Sequence, residues 1–146
     1  MRLTMFTDYG MRSLIFLALR PDGLSSIAEI ARAYAISENH VVKVVHALGR
    51  AGFVETIRGR NGGLRLARSA SDIRLGEIVR AMEPGLALVA CQDGEPCAIS
   101  GVCRLEHILD EAVGALLAVL DRHTLADVAD PSCTGLKLRL GIDAPI

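Results

Sequence analysis

Cys91, Cys97 and Cys103 lie in the stretch CQDGEPCAISGVC, each separated from the next by five residues. Thiolates are the usual ligands of iron–sulfur clusters, and a loop containing Gly and Pro can curl three of them around one corner of such a cluster. Structural zinc sites favour the tighter Cys-x2–4-Cys spacing, so this pattern points to iron–sulfur rather than zinc. Free cysteines often behave as small apolar residues, but this loop is polar and holds three of the four cysteines in the chain. Metal sites of both kinds normally take four protein ligands, and the loop supplies three. His107 follows Cys103 by one helical turn and can reach the same site; Asp8, Glu106 and a small molecule are the other candidates for the fourth position. Cys133, in a Pro/Ser/Thr/Gly segment further on, reads as a bystander thiol.

A second group of residues is suited to DNA. Ser37, Glu38, Asn39, His40 and Lys43 open a predicted helix and lie off its valine stripe. Asn pairs with an adenine edge in bidentate fashion, and Ser or His can reach bases or phosphates. Ser37 also has a simpler role as the N-cap of that helix. Further on, Arg58, Arg60 and Asn61 sit in the glycine-rich run RGRNGG. Arginines on such a tip can enter a minor groove. Taken singly, a polar helix start and a basic turn are also what water alone would favour; it is their conjunction that points to DNA.

The elements that must position these residues follow from the hydrophobic pattern. Met11, Leu14, Ile15 and Ala18 keep helical spacing and predict a helix over 3–20, stopped by Pro21-Asp22-Gly23. Ser25 or Ser26 caps a second helix carrying Ile27, Ile30 and Ala31, and Tyr34-Ala35-Ile36 connects it to the third, 37–50, with Val41, Val44, Val45 and Leu48 buried. Residues 53–57 and 64–67 read as two strands around the RGRNGG turn. Leu75, Ile78, Val79 and Met82 predict a short helix capped by Ser71 or Asp72 and ended by Pro84-Gly85. After the cysteine loop, Leu105, Ile108, Leu109, Ala112, Val113, Leu116, Leu117 and Leu120 predict a long helix over 104–122, followed by a short one at Leu125, Val128 and Ala129. The segment after Pro131 carries no clear pattern.

The fold class expected is mainly α with a small β-hairpin: a winged helix-turn-helix over 1–83, a cluster-binding loop over 84–103, a dimerisation helix and short terminal helix over 104–130, and a tail over 131–146. The continuous apolar face of the long helix independently suggests a partner helix. The chain has 146 residues and no Trp, and its apolar content is chiefly Ala, Leu, Val and Ile, which suits helix packing. A signal peptide and a membrane span are not expected, which predicts a cytoplasmic protein, where clustered cysteines bind metal more often than they form disulfides. The net charge of −1 divides unevenly. Residues 1–80 hold 12 Lys/Arg against 7 Asp/Glu, and residues 81–146 hold 4 against 10. Only the first half is expected to meet a polyanion. No nucleotide-binding or other catalytic constellation is present, which argues against a redox enzyme.

Five segments together resemble the Rrf-two family of bacterial winged-helix repressors, many of which carry iron–sulfur clusters. They are MRLTMFTDYGMRSLIFLA at the start, VETIRGRNGGLRLA, the Met82-Glu83-Pro84 approach to Cys91, the cysteine triplet, and HTLADVAD near the end. The wing and the triplet are the most specific. The start and the Glu-Pro approach are most similar to the nitric-oxide-sensing repressors of the family. The resemblance covers roughly residues 1–130 and implies a homodimer on a palindromic double-stranded operator, with repression in the cluster-bound state and relief when nitric oxide attacks the cluster. It implies a [4Fe–4S] cluster, with [2Fe–2S] as the alternative.

The resemblance also bears on the fourth ligand. The iron–sulfur biogenesis regulator of the family uses a histidine three residues after its last cysteine, where this chain has Glu106, so His107 is displaced by one. The nitric-oxide sensors are similar to this chain at Asp8, a carboxylate given by the partner subunit, and Asp8 is the favoured ligand with His107 as the alternative. The ordinary role of Asp8 would be to complement the dipole of the first helix. Regulation by iron or cluster status is the second functional reading, since iron-responsive relatives share the RGRNGG wing; a zinc-bound or cluster-free regulator is another.

Overall fold

The computed structural model describes residues 2–142 of the chain. Helix α1 (Met5–Ala18) starts two residues later than the apolar pattern suggests, because Thr4 accepts a hydrogen bond from the Thr7 N–H and fixes the boundary. Of the two candidate caps for α2 (Ile27–Tyr34), Ser26 is the one used, in a reciprocal capping box with Glu29. Ser25 instead joins the β-structure: its N–H donates to Leu64 O at 2.9 Å and its carbonyl accepts from Leu64 N–H at 2.8 Å.

Two helix ends use the same device. Helix α3 (Glu38–Arg50) closes with Gly52 N–H donating to Gly49 O and Phe53 N–H donating to Leu48 O, with Gly52 at φ 80°. This is the Schellman arrangement, and its hydrophobic partner pair, Leu48 and Phe53, is fully buried. Helix α2 ends likewise, with Ile36 N–H donating to Ala31 O, but there the left-handed position holds Ala35 at φ 53°. An L residue in that region costs about 1–2 kcal/mol, so the packing of Ile30, Ala31 and Ile36 must outweigh it.

Strands β1 (Val54–Ile57) and β2 (Gly63–Leu66) pair antiparallel, Val54 opposite Leu66 and Ile57 opposite Gly63. The turn between them requires glycine: a Cβ on Gly62 would lie 2.1 Å from the Ile57 carbonyl oxygen, and Gly59 has φ 113°. Because Ser25 pairs with Leu64, the wing is tied to the residue just ahead of the α2 cap.

Helix α4 (Leu75–Met82) forms as expected, but neither Ser71 nor Asp72 caps it. They fall within a short 3-10 turn, Ala70–Asp72, whose own cap is Ser69. The Leu75 N–H donates instead to the His123 carbonyl at 3.0 Å, and Leu125 N–H donates to Ile73 O at 2.8 Å. Helix α5 (Arg104–Asp121) begins directly after Cys103, and α6 (Leu125–Val128) is opened by Thr124 and Asp127. The tail, which carries no clear sequence pattern, contains a further helix, α7 (Thr134–Arg139). Leu136 and Leu140 pack against the core and Ile142 is buried within it.

Helix α1 is the hub. It packs on α2, α3, α4, α6 and β2, burying Leu14, Phe16, Leu17 and Ala18 against Ile30, Val41, Val44, Leu48, Ile78 and Leu125. Helix α5 packs on α4 and contributes no fully buried residue. Arg80 and Asp121 fasten the two helices by paired hydrogen bonds of 2.8 and 2.5 Å.

Candidate functional site

The helix-turn-helix α2–α3 presents its polar start to solvent. Ser37, Glu38, Asn39, His40 and Lys43 are all exposed, while Val41 and Val44 are buried beneath them. Ser37 does cap α3, accepting from the His40 N–H, and its hydroxyl also lies 2.9 Å from His40 Nδ1. The His40 ring rests beside Tyr9 of α1, with centroids 6.0 Å apart. His40 is therefore a braced side chain, whereas Asn39 and Lys43 have no hydrogen-bond or ion-pair partner among the described residues. Arg58, Arg60 and Asn61 are exposed at the wing tip, also without partners there, while the neighbouring Arg65 is held by Glu55 across the hairpin. The cations at the tip are thus uncommitted and the one on the strand is neutralised.

The cysteine loop leaves α4 at Glu83 and ends at Cys103, the residue ahead of α5. All four cysteines are free thiols, Cys91 and Cys103 half-buried and Cys97 and Cys133 exposed. Among the described residues no three His, Cys, Asp or Glu side chains converge as a ready metal site. The three loop thiols are nevertheless electrostatic neighbours. Burial pushes the Cys91 thiol up, and the charges of Cys97, Glu106 and Cys103 push it further in the same direction. A cation, or the iron of a cluster, would favour the Cys91 thiolate against these effects. The chemistry of the donor set fits an iron–sulfur group: three soft thiols, none in a disulfide, on one loop.

The candidates for the fourth ligand differ in their surroundings. Glu106 is half-buried and acts on Cys91. His107, one residue on, is exposed. Asp8 lies in the first turn of α1 and is engaged by Arg12, whose Nε donates to it at 3.0 Å on an exposed surface. Such a pair is weak and can exchange. Cys133 is the residue ahead of α7, well apart in sequence from the loop.

Glu83 has a role that no pattern along the chain announces. It is the last residue before the loop, and its carboxylate accepts from the Thr4 N–H at 3.1 Å, from the Thr4 hydroxyl and from the Thr7 hydroxyl. A carboxylate thus sits on the N-terminus of α1, where the helix dipole favours it. Burial tends to raise its pKa, but the hydrogen bonds from Thr7 and Thr4 outweigh this and hold it below the usual carboxylate range. Glu83 therefore latches the start of the cysteine loop to the start of the helix that carries Asp8. Since its folded pKa is depressed, the latch stabilises fully above the unfolded value and is lost as pH falls through the folded one. Glu83→Gln should lower stability by about 1 kcal/mol at neutral pH, solvent access holding it under the full value of a buried charged hydrogen bond. The mutant should also lose part of the acid-side fall in Tm, which thermal melts across the acid range would reveal; identical melts for the two proteins would refute the latch.

The Rrf2 family model, described as an iron-dependent transcriptional regulator, matches residues 3–131. The chain belongs to the Rrf2 family. An Rrf2-family relative, the HTH-type transcriptional regulator NsrR of Bacillus subtilis, is 53% identical over 131 residues, covering 88% of this chain and 90% of that protein. Among solved Rrf2-like structures, the global cysteine regulator CymR of B. subtilis superposes with a TM-score of 0.73 at 29% identity, over 88% of this chain and 96% of its own. IscR of T. potens gives 0.72 at 27% identity, over 88% and 85%. This Rrf2 protein is accordingly a winged-helix transcriptional regulator and not an enzyme. No helix among the described residues is long and apolar enough to cross a membrane.

Proposed function

We propose that this protein is a cytoplasmic homodimeric repressor that holds an iron–sulfur cluster, of the [4Fe–4S] type, on Cys91, Cys97 and Cys103 and responds to nitric oxide. The observation that carries the reading is the loop itself: three free thiols between the latch at Glu83 and the start of α5. The 53% identity to NsrR of B. subtilis supports the choice of signal. When bound, the cluster supplies iron that nitric oxide can attack, with release from the operator as the outcome.

The chain's own residues do the rest. Ser37, Glu38, Asn39, His40 and Lys43 would meet the major groove, Asn39 reading a base edge and Lys43 a phosphate. Arg58, Arg60 and Asn61 would follow the neighbouring backbone or minor groove. Helix α5 supplies the dimer seam. Of its apolar stripe, Leu109, Val113, Leu116, Leu117 and Leu120 are half-buried, while Leu105, Ile108 and Ala112 are exposed, in a row that Ala115 and Val119 continue. The exposed row steps 3-4-3-4, the spacing of a two-helix seam, and Leu105 and Ile108 are 57% and 59% exposed. A second copy would cover it and set two α3 helices on the half-sites of a palindromic operator.

The domain plan has the same basis: 1–83 reads DNA, 84–103 holds the cluster, and 104–130 joins the copies. The tail 131–146 has no part in this reading. Asp8 from the partner would complete the ligand set, exchanging Arg12 for iron, with His107 as the alternative. A carboxylate is a harder and weaker partner for cluster iron than thiolate. Its loss would uncouple one copy's loop from the other's DNA-binding half, allowing a rigid-body shift.

Anaerobically purified protein should be coloured, and nitric oxide titrated into it should bleach the spectrum and release operator DNA in parallel. A colourless protein that binds DNA equally with and without iron would sink the proposal. A response to iron depletion with none to nitric oxide would favour the reading as a cluster-status regulator. For the fourth ligand, Asp8→Ala should alter the visible and EPR spectra while His107→Ala leaves them unchanged; the reverse would transfer the role to His107.

A further inference from the structure

The Rrf2 family match ends at residue 131, yet the chain continues into α7 and returns to the core through Ile142, which is only 4% exposed. This tail closes one side of a cavity of about 330 Å³ whose other walls are the end of α1 and the second half of α2. Among the described residues, three arginines line it, Arg20 just beyond α1, Arg32 from α2 and Arg139 from α7, together with one carboxylate, Glu29. Glu29 is committed to Arg20, which donates to it at 2.7 Å. Among the described residues Arg32 and Arg139 have no ion-pair or hydrogen-bond partner. Among the described residues that line it, three guanidiniums stand against one carboxylate, a balance of +2. Arg139 is moreover one of only four Lys or Arg residues in the acidic half of the chain. Phe16 and Leu140 add an apolar wall.

We propose that this cavity binds a small organic anion bearing a phosphate or carboxylate group. The guanidinium fork matches either group in bidentate fashion, and the volume falls in the range of small-ligand pockets. Such an anion would join Arg32, on the first helix of the helix-turn-helix, to Arg139 of the tail. It is a second input to the DNA-binding half, separate from the cysteine loop and independent of whether that loop holds a cluster.

The test uses the full-length protein, with inorganic phosphate and succinate as probes against chloride at matched ionic strength. Either probe should raise Tm by a few degrees, saturating in the low-millimolar range, and the Arg32→Gln/Arg139→Gln double variant should show no saturable rise. Phosphate also stabilises proteins generally by exclusion from their surface, but that effect does not saturate and is equal in the variant. A response to phosphate alone or succinate alone identifies which of the two groups the site takes. Equal, non-saturating rises in both proteins would overturn the proposal. It would also be overturned if the variant lost operator affinity with a shallower salt dependence while neither probe bound the parent protein, since the arginines would then be contacting the DNA backbone.

Discussion

Cys97→Ser protein purified without oxygen should be colourless and should have lost most of its operator affinity. Cys97 is exposed and supports no packing, so the substitution leaves the fold intact and any loss reports on ligation. A serine hydroxyl is neither soft nor deprotonated at neutral pH and does not replace thiolate on iron. Two thiolates and a carboxylate are a poor holder for the group. The loss should exceed the roughly 10–100-fold that removal of a mere supporting partner costs a metal site. Cys133→Ser, at the residue ahead of α7, is the control and should match the parent protein in colour and DNA binding. If Cys97→Ser kept a full visible spectrum, the triplet would not be the ligand set. If Cys133→Ser bleached it, a ligand would lie two helices along the chain from the loop.

Removing both wing arginines, Arg58→Ala with Arg60→Ala, should weaken operator binding strongly and flatten its dependence on salt. Each phosphate that an arginine no longer neutralises lowers the slope of log K against log salt by about 0.9, so four guanidiniums in a dimer account for up to about 3.6. Both residues are exposed on a turn whose shape depends on Gly59 and Gly62, so thermal stability should be unchanged. Asn39→Ala should behave differently, lowering affinity for the operator while leaving the salt slope and binding to random DNA nearly as they were. Unchanged affinity and slope in the double arginine variant would remove the wing from the interface.

Much of the fold is legible along the chain because its signals are local. The valine stripe of α3, Ser37 ahead of it, Gly52 behind it and the glycines of the wing turn each act within a few residues, and helices and hairpin appear where those signals put them. The exceptions are equally specific. Ser71 and Asp72 look like caps for α4, but its N-terminal N–H is satisfied by the carbonyl of His123, far along the chain, and no local pattern encodes that. Helix α7 has no local signature because Thr134 and Gly135 are poor helix formers. The segment is helical with Leu136, Leu140 and Ile142 packed against or within a core built by α1 and α2. The stripe of α5 reads as one face and is two, a half-buried row and an exposed one.

For the site, sequence alone determined the donor inventory: three thiols at fixed spacing, the polar start of α3, and the basic wing tip. These are matters of residue type and short-range order, which the chain writes directly. Tertiary structure decided the relations among them. It set the charge of Glu106 against Cys91, left Asp8 in a weak pair with Arg12, and tied Glu83 to Thr4 and Thr7 across 79 and 76 positions. It also gathered Arg20, Arg32 and Arg139 around one cavity. Contacts of that range depend on how helices pack about α1, and a charge or hydrogen bond acts through distance in space, which periodicity along the chain does not carry.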